Sequence, residues 1–229
     1  MRVGIIFAME EELNALKECL VLENEYNIFD LKFYEGKIEN VDCVLVESGV
    51  GKVNAARTTQ ILIDNMKVEY IFNIGVAGGI YQSLKVGDIV IGESLVQHDF
   101  DITAFDHEKG YIPNVGTYIE ADPYLVKIAQ ENIDNAKVGV IASGDIFCTE
   151  FMMGQKINKK FGALCVEMEG ASVAQVCFLS HIPFLIIRSV SDVPNNDNVI
   201  TYEEFLDSSS NKVALAMKKI LSNLEMIEN

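Results

Sequence analysis

Three acidic residues stand where a carboxylate could act on a small molecule: Glu12, Glu169 and Asp192. Each follows closely on an apolar run of strand-like composition, at residues 3–8, 163–166 and 182–190. Carboxylates in such places suit proton transfer, activation of a water, or a grip on paired hydroxyls, because charge-assisted hydrogen bonds are roughly twice as strong as neutral ones. Read singly, each has a structural explanation. Glu12 and Glu169 fit the first turn of a helix, where the macrodipole favours an anion by ~0.3–1 kcal/mol, and Asp192 fits a turn or cap. Their recurrence at the same kind of position points instead to a site, since open α/β sheets hold ligands at the carboxyl ends of their strands. The cluster Gly75-Val76-Ala77-Gly78-Gly79 and the triplet Ser143-Gly144-Asp145 follow two further apolar runs and belong to the same rim.

The elements that must carry these residues alternate along the chain. Near-continuous apolar runs predict buried strands at 3–8, 68–74, 86–91, 137–142, 163–166 and 182–190. A strand pair is expected at 29–38 and 42–47, with Glu39-Asn40 as its turn. Helical spacing is seen in Leu13, Leu16 and Leu20, then across 53–63, 152–161 and 171–179. Another helix opens at Asp122-Pro123 and runs to about 133, and a last one opens at a capping-box pattern, Thr201-x-x-Glu204. Residues 95–120 have no clear period. The expectation is one α/β domain over residues 1–229, a largely parallel or mixed central sheet flanked by helices. If the strands run parallel, Glu12, Glu169 and Asp192 meet at one edge.

Composition narrows the ligand. The formal net charge is −16, which disfavours nucleic acid and anionic membranes as partners. No apolar run approaches the ~20 residues that span a bilayer, and Glu10-Glu11-Glu12 follow the first apolar run too soon for a secretory leader. Five scattered cysteines without a CxxC pair read as reduced thiols, so a cytoplasmic chain is expected, with no metal and no cofactor. Other motifs fail. Gly51-Lys52 is followed by Val53, where a phosphate-binding loop needs Ser or Thr; the 75–79 cluster is no GxGxxG; no GxSxG occurs. His98-Asp99-Phe100-Asp101 has ligand-type residues but reads as a solvated loop, and residues 192–198 lack the calcium-loop spacing.

The motifs resemble, from end to end, the 5′-methylthioadenosine/S-adenosylhomocysteine nucleosidases of the purine nucleoside phosphorylase superfamily. The stretches that carry the resemblance are Gly4-Ile5-Ile6-x-Ala8-Met9-Glu10-Glu11-Glu12, Ser48-Gly49-Val50-Gly51-Lys52-Val53, Gly75-Val76-Ala77-Gly78-Gly79, Thr103-Ala104-Phe105, Ser143-Gly144-Asp145, Val166-Glu167-Met168-Glu169, Arg188-Ser189-Val190-Ser191-Asp192 and Glu204-Phe205-Leu206. It implies a nucleoside phosphorylase-like fold and hydrolysis of an N-ribosidic bond, which passes through an oxocarbenium-like transition state. By position, Glu12 activates the water, Glu169 with the Met168 backbone holds the ribose hydroxyls, and Asp192 protonates N7 of the adenine, supported by Ser191 and Arg188. Phe147 and Cys148 read and stack on the base. Met9, Val50 and Tyr202 line the ribose and 5′ side, while Val76, Ala77, Gly78 and Glu167 complete the pocket.

The resemblance also implies a homodimer in which Ile102, Phe105 and Pro113 wall the partner's 5′ pocket; with Tyr111 and Ile112 they give residues 98–113 an apolar surface that fits an interface. Relatives commonly carry Ser where Val76 stands, and Val cannot donate a hydrogen bond. A subgroup sharing Gly-Val-Ala-Gly, Leu95–Asp99 and Ala104–His107 adds 6-amino-6-deoxyfutalosine, and 5′-deoxyadenosine is a further candidate substrate. Two rivals stand beside this assignment. A nucleoside phosphorylase would need cations for phosphate, and only Arg2, Arg57 and Arg188 are present as arginines, none in 75–79. A non-catalytic nucleoside-binding module would not need all three acids.

Overall fold

The first strand, β1 (Arg2–Phe7), is buried along almost its whole length, as its unbroken apolar sequence demands of a strand covered on both faces. In this computed structural model, residues 1–193 and 198–224 are described, with the backbone alone for 198–200. The helix α1 (Glu10–Lys17) follows, then β2 (Val21–Ile28), β3 (Leu31–Ile38) and β4 (Val41–Glu47). Next come α2 (Lys52–Asp64), β5 (Tyr70–Gly79), β6 (Ile89–Gln97), a single 3-10 turn at Thr103–Phe105 and the two-residue β7 (Ile119–Glu120). The second half comprises α3 (Pro123–Asn132), β8 (Lys137–Ser143), α4 (Phe151–Phe161), β9 (Ala163–Glu167), α5 (Gly170–Ser180), β10 (Phe184–Asp192) and α6 (Asn198–Asn223).

All ten strands form one sheet. Strands β1, β4, β5 and β10 run parallel. Strand β6 runs antiparallel to β10 but parallel to β8, and β8 is parallel to β9. Strand β9 then meets β5 antiparallel, through Gly78 opposite Val166 and Gly79 opposite Cys165. The five strands β5, β10, β6, β8 and β9 therefore close on themselves. The single edge of parallel strand ends expected from sequence is thus corrected: two oppositely directed sets meet twice, the first half of β6 against β10, and β9 against β5 at their carboxyl ends. The second meeting places Asp192, Gly78 and Val166 side by side across three strands.

Several local expectations also shift. Strand β2 has no counterpart in the sequence reading; it is an outer strand paired with β3, mostly exposed, so its polar run Glu23-Asn24-Glu25 carries no alternation. Phe29 lies in the β2–β3 turn at φ 55°, outside the strand it was expected to begin. The 75–79 glycines, expected to follow the strand at 68–74, are the last part of β5 itself. Strand β6 starts later and runs further than 86–91. Thr201 lies inside α6, which begins at Asn198, so the Thr201–Glu204 pattern does not open that helix. Residues 194–197, part of the polar 192–198 stretch, lie outside the described residues. The Glu39-Asn40 turn is observed, both residues at positive φ, and Asp122 caps α3 by accepting from the N–H groups of Tyr124 and Leu125.

Candidate active site

Glu12 is the third residue of α1, and its side chain folds back over the helix start. Oε2 accepts from the backbone N–H of Ala8 (2.9 Å) and of Met9 (3.2 Å), as the acid of a capping box does. Oε1 accepts from Val76 N–H on β5 at 2.9 Å. Three of roughly four acceptor positions are filled, leaving about one for a ligand. Burial raises the pKa of this carboxyl above its ordinary value, against the lowering influence of Arg188 and the three N–H groups. A base whose pKa moves toward neutrality is better matched to proton abstraction near pH 7. The helix-start role is therefore observed, and the same side chain keeps about one acceptor position for a ligand.

Glu169 occupies the N-cap of α5 but does not cap it. That work falls to Glu167, whose Oε2 accepts from the N–H groups of Glu169 (3.1 Å) and Gly170 (2.7 Å), while Ser143 Oγ accepts from Ala171 N–H at 2.7 Å. Glu167 also takes hydrogen bonds from Ser143 Oγ and from Arg188 Nη2. With its oxygens engaged by four protein donors, Glu167 borders the cleft and builds the turn, which leaves it little free capacity toward a ligand. Glu169 is thereby released to reach across the sheet, where Oε1 accepts from Gly51 N–H at 2.8 Å. Burial, then the Glu167 charge, push its pKa up to about 7, with Arg188 opposing.

Arg188 is fully buried on β10. Burial works against its charge, but Glu167, Glu169 and Glu12 outweigh that and hold its pKa above the ordinary value. Its guanidinium donates to Asn73 and Glu167, not to Asp192, and it lies behind the cleft instead of lining it. Asp192 takes its support from Ser191, whose Oγ donates to Oδ1 at 2.9 Å. The register between β10 and β5 slips between Val190 and Asp192, a bulge that re-aims the strand end.

These groups surround one cleft of about 550 Å³, its open mouth included. Glu12, Glu169 and Asp192 face into it. On one side stand Met9, Val50 and Tyr202, with Tyr202 Oη donating to Met9 Sδ at 3.1 Å. On the other stand Phe147 and Cys148, and Phe147 meets Tyr202 edge-on at 5.6 Å between ring centres. Val76, Ala77, Gly78 and Met168 form the floor. Val76 contributes its backbone N–H to Glu12, so the missing hydroxyl does not cost the acid its anchor. The sequence reading missed Ala8, Ile146 and Val166 as lining residues; Ile146, an apolar residue between Ser143-Gly144-Asp145 and Phe147, was the readable signal. Ile102, Phe105 and Pro113 do not line this cleft, and Ile112 is buried within its own chain, so it adds nothing to an apolar surface over 98–113. His98, expected on a solvated loop, is buried against Gly144, and burial holds its imidazole pKa below the ordinary value.

The mixed sheet gathers three acids at its strand ends, and residues 2–224 match the model of the Phosphorylase superfamily, to which the chain belongs. Among curated proteins it is 39% identical over 231 residues to the 5′-methylthioadenosine/S-adenosylhomocysteine nucleosidase of Geobacillus sp. (strain WCH70), covering 98% of this chain and all of that one. The solved structure of S-adenosylhomocysteine nucleosidase from Streptococcus pyogenes, in complex with 5-methylthiotubericidin, matches with a TM-score of 0.96 at 36% identity, covering 99% of this chain and 98% of that one. The native futalosine hydrolase of Helicobacter pylori strain 26695 matches at 0.94 and 34% identity, covering 98% of each.

Proposed function

We propose that the chain hydrolyses the N-ribosidic bond of 5′-methylthioadenosine and S-adenosylhomocysteine, releasing adenine and the 5′-thioribose. The observation that carries this is the convergence of Glu12, Glu169 and Asp192 on a cleft that, among the described residues, no Lys, Arg or His lines. Phosphorolysis would need a cation for phosphate, and the nearby Arg188 is committed to Glu167 and Asn73. In the reaction, Glu12 takes a proton from water as its oxygen bonds to the anomeric carbon. Asp192 gives a proton to the departing base as the carbon–nitrogen bond breaks. Glu169 accepts from the ribose hydroxyls, with bonds that strengthen as positive charge develops on the sugar. Phe147 supplies an aromatic face for the base. Adenine release should proceed equally fast in phosphate-free buffer; a strict phosphate requirement, or a ribose-1-phosphate product, overturns the assignment.

The similarity to the futalosine hydrolase favours a second substrate, 6-amino-6-deoxyfutalosine. Val50, on the 5′ side of the cleft, is 48% exposed, which leaves room for a larger 5′ group. Adenine release from that compound tests it. The assignment includes a homodimer: Phe105 is 74% exposed and Pro113 is also exposed, yet neither serves its own cleft, which supports a role at the partner's. An active monomer in sedimentation at assay concentration refutes this. The assignment includes a cytoplasmic setting, which the scattered cysteines without a CxxC pair support; no helix among the described residues is long and apolar enough to cross a membrane.

A further inference from the structure

Lys52 and Asp99 take no part in the chemistry above, yet they are joined. Lys52 Nζ donates to Asp99 Oδ1 at 2.7 Å and to Gln97 Oε1 at 3.1 Å. The other oxygen of Asp99 accepts from Asp145 N–H at 3.0 Å, and Asp145 Oδ1 accepts from Lys52 N–H at 2.8 Å. Lys52, Asp99 and Asp145 thus close a ring, each supplied by a different junction: the start of α2, the loop after β6 and the loop after β8. Both charged side chains are only 17% exposed. Exposed ion pairs contribute little, but this pair is largely shielded and held by backbone donors as well. Although burial alone would raise the Asp99 pKa, its Lys52 and Asp145 partners more than offset that and lower it.

The ring touches the active site at two points. Gly51, immediately before Lys52, donates the N–H that holds Glu169, and it does so at φ 102°, a conformation that glycine adopts without steric cost. Ile146 and Phe147, immediately after Asp145, form the wall of the base side. We propose that Asp99 is a positioning residue for this reaction: through Lys52 and Asp145 it fixes together the donor that grips the ribose-binding glutamate and the turn that presents the base wall. Asp99 itself does not line the cleft. The proposal rests on the nucleosidase assignment.

Asp99→Asn is the test. The amide oxygen can still accept from Lys52, but the amide nitrogen then faces the Asp145 N–H, donor against donor. Because base wall and ribose grip both act on the bound substrate, and the ribose grip tightens further in the transition state, KM for methylthioadenosine should rise ~10-fold and kcat should fall by no more than that factor. Asp145→Ala opens the same ring, so it should raise KM similarly, and the double variant should be no worse than either alone. A folded Asp99→Asn chain with wild-type KM, a loss confined to kcat, or penalties that add in the double variant overturns the proposal. A wild-type chain that releases no adenine sinks the nucleosidase assignment and this proposal with it, and that outcome is visible before any substitution is made.

Discussion

Adding one methyl group to Gly75 should disable the enzyme without touching substrate. Gly75 sits on β5 opposite Arg188 of β10, directly under the Glu12 carboxylate. A Cβ built there would lie 2.9 Å from Glu12 Cδ and 3.2 Å from Oε2, with Oε1 nearer still. Ordinary heavy-atom contacts begin at ~3.5 Å, so in Gly75→Ala the carboxylate must retreat by roughly 0.5–1 Å. It cannot do so freely, because three backbone N–H groups, of Ala8, Met9 and Val76, hold it. A displacement of that size at a reacting group costs on the order of 10²-fold in rate, and the overpacking costs ~1–3 kcal/mol of stability. The assay is kcat/KM for adenine release in phosphate-free buffer, beside a thermal melt. Gly79→Ala is the companion: its Cβ would meet Val190 Cγ1 at 3.0 Å and Leu84 Cβ at 3.3 Å, apolar side chains away from the cleft. It should lower the melting temperature comparably and leave kcat/KM near wild type. A folded Gly75→Ala enzyme with wild-type kcat/KM would refute the assignment of Glu12 as a fixed base.

Asp192→Asn keeps the shape and the Ser191 contact but cannot deliver a proton, so turnover should fall ~10²–10⁴-fold with ligand binding retained, whereas Glu203→Gln on an exposed part of α6 should change little. Undiminished turnover in Asp192→Asn, free of wild-type carry-over, removes it as the acid. The Glu169 carboxyl, raised from 4.5 to about 7, holds its proton in the folded chain over a window where the unfolded chain has lost it. Stability attributable to this group is therefore full below the unfolded pKa and falls as pH rises from 4.5 to about 7, so Glu169→Gln should gain stability relative to wild type across that window and no further above it. Pairwise denaturation curves at several pH values check the sign. Glu167→Gln leaves the Arg188 guanidinium buried without its anionic partner and should cost ~3–5 kcal/mol in chemical denaturation; a loss below ~1 kcal/mol would mean that Asn73 alone satisfies the arginine.

Much of the site was legible because its parts follow apolar strands, and strand ends are read easily from hydrophobic runs. Glu12, Glu169 and Asp192 were found that way, and a cleft does bring them together. What sequence could not supply was direction. Apolar runs look alike whether a strand runs up or down, so nothing in 163–167 announced that β9 opposes β5. Nor did the glycines of 75–79 reveal that they remain extended. Their role appears only once Glu12 and Asp192 are seen packed against the backbone at Gly75 and Gly78.

The division of labour between Glu167 and Glu169 was equally hidden. Two acids at i and i+2 are equivalent candidates in sequence, and helix-start logic assigns the nearer one, Glu169, to the cap. The structure reverses this because Arg188 and Ser143, from β10 and β8, converge on Glu167 and pin it as the anion that saturates the start of α5. Once those N–H groups are taken, the Glu169 carboxylate has no local donor and reaches instead to Gly51, 118 residues away in sequence. Its raised pKa follows from that same arrangement, since Glu167 stands beside it as a second negative charge in a buried place. The buried Arg188–Glu167 pair is therefore part of the site even though it lies behind the cleft: it decides which of two neighbouring carboxylates is left free to meet a ligand.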